Sequence, residues 1–74
     1  NMLWVIGGTF ADKANAERRR SALTSKGFND TTIEVADNGT NQYVVVAKVS
    51  DAHKAVEIAN ELMSKGFKTF IKKK

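Results

Sequence analysis

The amino-acid sequence predicts an α+β domain of order β-α-β-β-α-β. In this arrangement, the ribonucleoprotein or ferredoxin-like one, a four-stranded antiparallel sheet carries both helices on one face. Three observations predict it. First, moving the chain along itself by 39 positions lays residues 4–28 on residues 43–67, with eight of 25 aligned positions identical. Trp4 meets Tyr43, Asp12 meets Asp51, Leu23 meets Leu62, and Ser25-Lys26-Gly27-Phe28 lands on Ser64-Lys65-Gly66-Phe67. Second, each copy passes from an apolar run to a helical segment and then to a short second run. Third, right-handed crossovers place both helices of such a pseudo-two-fold pair on the same side of the sheet.

Leu3-Trp4-Val5-Ile6 is an apolar run bounded by Gly7-Gly8, as a buried strand would be. Asp12 stands where a helix N-cap belongs, its carboxylate able to accept a first-turn amide. Ala14 to Lys26 holds neither glycine nor proline, and Gly27-Phe28 ends it as an αL glycine followed by an apolar residue that folds back. Thr31-Thr32-Ile33-Glu34-Val35 alternates and is β-branched, so it reads as a half-buried strand. Asp37-Asn38-Gly39 is a strong hairpin-turn signal. Gln42 to Val49 is the third strand, and Ser50 or Asp51 caps a second helix whose Ala55, Ile58, Ala59 and Leu62 recur at helical spacing. Gly66 closes that helix, and Phe67 to Ile71 is the last strand. The first and third strands carry almost no charge and belong in the centre. Glu34, Lys68 and Lys72 mark the second and fourth as edges kept soluble by charge.

A chain of 74 residues makes one domain, 1–74, near the lower limit for a core without staples. The absence of cysteine excludes a disulfide framework and any thiolate metal or redox site. No apolar run approaches the roughly 20 residues of a membrane helix. A start at Asn1-Met2, directly before a strand, reads as a module taken from a longer protein. The net charge of +4 mildly favours anionic partners, and three of the cations are the terminal Lys72-Lys73-Lys74, a solubilising tail or linker fragment or else an anion site.

Helices on one face leave the other face of the sheet uncovered, and function is expected there. Side-chain alternation puts Trp4, Ile6 and Gly8 on that face from the first strand, and Tyr43, Val45 and Ala47 from the third. Trp4 and Tyr43 are equivalent in the repeat, so two aromatics would stand on central strands. Such rings stack on sugars or on bases, or else they cover the core or a dimer interface. Arg18-Arg19-Arg20 is the other anomaly, because Arg19 falls at the position of Ile58 and Arg20 at that of Ala59. Their stems would lie along the helix–sheet boundary with their heads in water, or they would form an anion or partner site. His53 has no companion ligands, so no metal or cofactor is expected. No phosphate loop and no nucleophile–base pair is present, so no enzymatic activity is expected.

Trp4-Val5-Ile6-Gly7-Gly8-Thr9-Phe10, Asp12 to Glu17, Leu23 and Lys26-Gly27-Phe28 resemble the first half of a SPOR domain, the sporulation-related repeat. Tyr43 to Ala47, Ser50-Asp51 to Ala55, Leu62 and Lys65-Gly66-Phe67 resemble its second half. The resemblance implies a non-catalytic module of the bacterial cell envelope that binds peptidoglycan glycan strands lacking stem peptides. It implies a periplasmic setting, extending to the division septum, with any membrane attachment through an anchor elsewhere in the protein. The implied glycan-binding residues are Trp4, Ile6, Thr9, Gln42, Tyr43 and Val45. Trp4 and Tyr43 would stack on sugars, Ile6 and Val45 form the groove floor, and Thr9 and Gln42 supply hydrogen bonds. Ile6, Val45 and Ala47 stand where the family usually has glutamine, arginine and glycine, which removes polar groups that orient a glycan. Two alternatives stay open on the same face. One is protein interaction or weak self-association. The other is single-stranded nucleic acid, although no basic–glycine–aromatic pattern marks the third strand and no nucleic-acid partner is expected.

Overall fold

A computed structural model describes residues 1–74. The elements follow in the order β1 (Leu3–Phe10), α1 (Lys13–Ser25), β2 (Thr32–Val35), β3 (Gln42–Val49), α2 (Ala52–Ser64) and β4 (Phe70–Lys73). They form a single antiparallel sheet of order β2-β3-β1-β4, with β1 and β3 central as expected.

Local chemistry places both helices. The Asp12 carboxylate accepts the Ala14 amide at 2.9 Å, and Asp51 accepts that of His53 at 2.9 Å. At the other ends, Gly27 and Gly66 take positive φ and close six-residue return turns. Phe28 N–H donates to Leu23 O at 3.1 Å, and Phe67 N–H donates to Leu62 O at 3.1 Å. Each phenylalanine thereby folds back towards the leucine one turn earlier, and both rings pack on the core. Phe67 is therefore the cap of α2 and not the start of a strand, so β4 begins three residues later than expected, at Phe70.

The main core lies between helices and sheet and joins Val5, Val44 and Val46 to Ala16, Leu23, Ala55, Ala59 and Leu62. Alanine dominates the helix side of this list, which lets the helix backbones sit close to the sheet. Leu3, Phe10, Ile33, Ala47, Val49 and Ile58 pack around its rim.

Strand β1 does not stop at Gly7-Gly8 but continues to Phe10 through a paired irregularity. Val5 lies opposite Ala47 and Ile6 opposite Val45, which leaves Val46 unmatched; Thr9 then lies opposite Tyr43, so Gly7 and Gly8 together face Val44. Gly7 and Val46 are the same position in the repeat, so the two bulges are a feature of both copies. Their effect is to reverse the side-chain alternation halfway along each central strand.

Candidate functional site

The helix-free face is assembled from all four strands in register. Thr32, Val45, Ile6 and Phe70 form one cross-strand row, and Glu34, Tyr43 and Thr9 form a second. Lys48, Trp4 and Lys72 form a third. The bulges explain two departures from strict alternation. Ala47 packs with the helix-side core, and a Cβ on Gly8 would point at the Phe10 ring and Arg19, so neither lies on the helix-free face. Gln42 is not brought there either. It is paired with Phe10, which packs on the helix side, and it shares a cleft with Lys13, Glu17 and Arg20 of α1.

The expectation of an uncovered face is corrected by the β2–β3 turn. The hairpin continues past the strands through the Ala36 N–H to Asn41 O bond of 2.8 Å and then turns at Gly39. Ala36 packs with Ile6, Tyr43 and Val45 as a second buried cluster, with Trp4 against it. Ile6 is 0% exposed, Val45 1% and Tyr43 8%, so Ile6 and Val45 lie beneath a cover and do not form an open floor. Within the turn, Asp37 reaches across to β4 and the residue after it, its two carboxylate oxygens accepting from Lys72 and Lys74, each at 2.8 Å. What stays open to solvent is the half-buried Trp4, the exposed Thr9 and Phe70, which is 45% exposed.

Because Phe67 reads in the sequence as the start of the last strand, Phe70 is not among the residues that the sequence points to. Counting back from Lys72, opposite Trp4, would have placed it on this face. Its ring stands edge-on to Tyr43 with centroids 6.1 Å apart, which joins the two rings into one aromatic edge.

Trp4 carries two ammonium groups. Lys48 Nζ lies 4.3 Å and Lys74 Nζ 4.7 Å from its ring centroid. Each lysine is also tied to a carboxylate, Lys48 to Glu34 at 2.9 Å and Lys74 to Asp37. Lys48 is the main reason that Glu34 stays below the ordinary carboxylate range, helped by Thr32 against some burial. Lys72 and then Lys74 hold Asp37 down, and Asp37 in turn raises Lys72. A carboxyl group lowered in the native state binds fewer protons there than in the unfolded chain. Its contribution is therefore complete above the unfolded value and is lost as pH falls through the native one. Asp37→Asn is expected to lower the thermal midpoint slightly at pH 7 and to converge on wild type as the pH falls through the lowered native value of Asp37. A midpoint difference that persists unchanged in acid would show that the pairing does not hold the turn.

Of the three arginines, Arg20 bonds Glu17 at 3.0 Å and Arg18 bonds Asn15, both at the surface. Arg19 does not keep its head in water. The half-buried guanidinium donates to Gly7 O at 2.7 Å and lies between two rings, 5.3 Å from the centroid of Phe10 and 5.5 Å from that of Phe67.

Comparison with known proteins adds a relative of the same shape. The solution structure of the peptidoglycan-binding domain of the B. subtilis cell wall lytic enzyme CwlC superposes with a TM-score of 0.81 at 27% identity, covering 96% of this chain and 86% of that one. Among curated proteins none matches the sequence significantly. The model of the SPOR domain matches residues 3–73, the whole of the repeat and all six elements, and the chain belongs to the SPOR domain family.

Proposed function

We propose that the domain is a non-catalytic peptidoglycan-binding module that takes glycan strands lacking stem peptides on its helix-free face. Likeness to the CwlC domain along nearly the full chain is the observation that carries this reading. Neither protein interaction nor nucleic-acid binding draws comparable support. The contact surface is the edge made by Trp4, Phe70 and the rim of Tyr43, with Thr9 as the neighbouring hydroxyl; Ile6 and Val45 support it from below. Pyranose rings present C–H faces that pack on aromatic faces by dispersion and by the ring quadrupole. A sugar on Trp4 displaces one of its two ammonium groups, at a cost of about 0.5–1 kcal/mol for an exposed cation–π contact. As a non-catalytic module, the domain would deliver an attached protein to the wall of the bacterial envelope, on the periplasmic side and at the septum.

Retention on purified sacculi, with and without amidase digestion, tests this. Amidase treatment is expected to raise retention, and Trp4→Ala to weaken it about tenfold, the loss of one well-packed aromatic contact of roughly 1.4 kcal/mol. Retention that ignores amidase treatment, or is unchanged by Trp4→Ala, would overturn the proposal.

A further inference from the structure

Strand β4 covers only part of β1. Its last rung pairs Phe70 with Ile6, so Gly7 to Phe10 have no strand beside them on that edge. The gap is a notch of about 320 Å³ opening beside Thr9 and Phe70, and it is therefore continuous with the helix-free face. Arg19 rises into it from α1, and its bond to Gly7 O takes the place of the missing rung. Lys68 and Thr69 line the other wall.

The charges of this notch are uncompensated. Ion pairs elsewhere join Arg20 to Glu17, Lys48 to Glu34, and both Lys72 and Lys74 to Asp37. Neither Arg19 nor Lys68 has a carboxylate partner, and no acidic residue lines the notch. The two rings and the Gly7 carbonyl hold the guanidinium in place, and its remaining N–H donors have no partner in the protein. A planar fork fixed in this way is preorganised for an oxyanion and has little side-chain entropy left to lose on binding.

The repeat contains its own control. The equivalent gap, where β2 leaves the end of β3 unpaired, is lined by Asp30, Thr32 and the residues from Val45 to Val49. There the place of Arg19 is taken by Ile58 and that of Lys68 by Asp30, the second correspondence counted from the starts of β2 and β4. One backbone feature thus occurs twice; its other copy sets Asp30 against Lys48, which is itself paired with Glu34, and only this one is lined by cations without a carboxylate. A need to solubilise the gap would not distinguish them.

We infer that this notch is a carboxylate site, and that its ligand is the lactyl carboxylate of muramic acid, which is free only where the stem peptide has been removed. The inference rests on the glycan-binding proposal and supplies it with a chemical basis. An intact stem converts that carboxylate to a neutral amide, so a cationic notch beside the aromatic edge reads its release directly.

Amidase-treated sacculi are compared with the same sacculi whose lactyl carboxylates have been converted to methylamides. Arg19→Gln and the exposed Lys68→Gln are each expected to weaken retention three- to tenfold on the free carboxylates and to change nothing on the amidated wall. Asp30→Asn serves as the control from the other notch. Because Arg19→Gln also loses packing, Lys68→Gln keeps the test independent of folding. In parallel, N-acetylmuramic acid is expected to shift the Arg19 Nε–H, Thr9 and Thr69 NMR signals, whereas its methyl ester and N-acetylglucosamine leave them in place. Retention that depends on Trp4 but not on either cation would overturn the carboxylate site while leaving glycan binding intact. Retention on neither wall would remove both. Shifts produced by inorganic phosphate but not by muramic acid would assign the notch to a phosphate and overturn the inference.

Discussion

Leu23→Ala is expected to remove about 2–5 kcal/mol of stability, the range for deleting a fully enclosed leucine whose surroundings cannot collapse. A chain of 74 residues has roughly 4–11 kcal/mol in total at 0.05–0.15 kcal/mol per residue, so this single change consumes a large share of it. Leu23 is completely buried and sits at the last turn of α1, against the strand bulge. A Cβ on Gly7 would lie 3.0 Å from its Cδ1 and 3.3 Å from Val46 Cγ2, which is too close for comfort while the leucine is present. That geometry makes a second, sharper statement. Gly7→Ala alone is expected to destabilise, but in the Leu23→Ala background its methyl enters the vacated space, so the pair should cost less than the sum. Urea denaturation of the two single variants and the double variant measures this. Strict additivity would show that Gly7 and Leu23 are not packed as described.

Gly8→Ala is expected to be the next most damaging change, by about 1–3 kcal/mol, through steric overlap and backbone strain. Gly8 has φ of +155°, where side chains are rarely tolerated, and its Cβ would stand 2.7 Å from Phe10 Cε2 and 3.2 Å from Arg19 Nη1. Phe10 cannot retreat without leaving the guanidinium it covers. The variant should therefore lose thermal stability and exchange its Arg19 side-chain N–H protons faster than wild type. Loss of stability with unaltered Arg19 signals would separate the bulge from the arginine and contradict the packing.

The parts legible in the sequence were those governed by neighbours in the chain. Asp12 and Asp51, Gly27 and Gly66, and the bounds of β3 all follow from capping and alternation over a few residues. The repeat carried the topology, because a unit read once could be read again. The rest depended on partners distant in sequence. Alternation alone cannot show that Gly7 and Val46 each add a residue to a strand, so it puts Ala47 and Gly8 on the wrong side. Asp37 meets Lys72 and Lys74 only after the sheet has brought β4 alongside β1, so a turn folded over Ile6, Tyr43 and Val45 has no local signature. Arg19 looked like a solvated cation because its acceptor is a backbone carbonyl freed by the shortness of β4.

The strand order β2-β3-β1-β4 has a consequence for cooperativity. The two strands of the first copy, β1 and β2, do not touch, since β3 lies between them; β3 and β4 of the second copy are likewise parted by β1. Every hydrogen-bonded ladder in the sheet therefore joins one copy to the other, and neither copy alone possesses a sheet. Although the sequence is two units, the folding unit is one. A fragment holding a single copy has no structure to keep, the two halves melt together, and folding waits on contacts between distant segments.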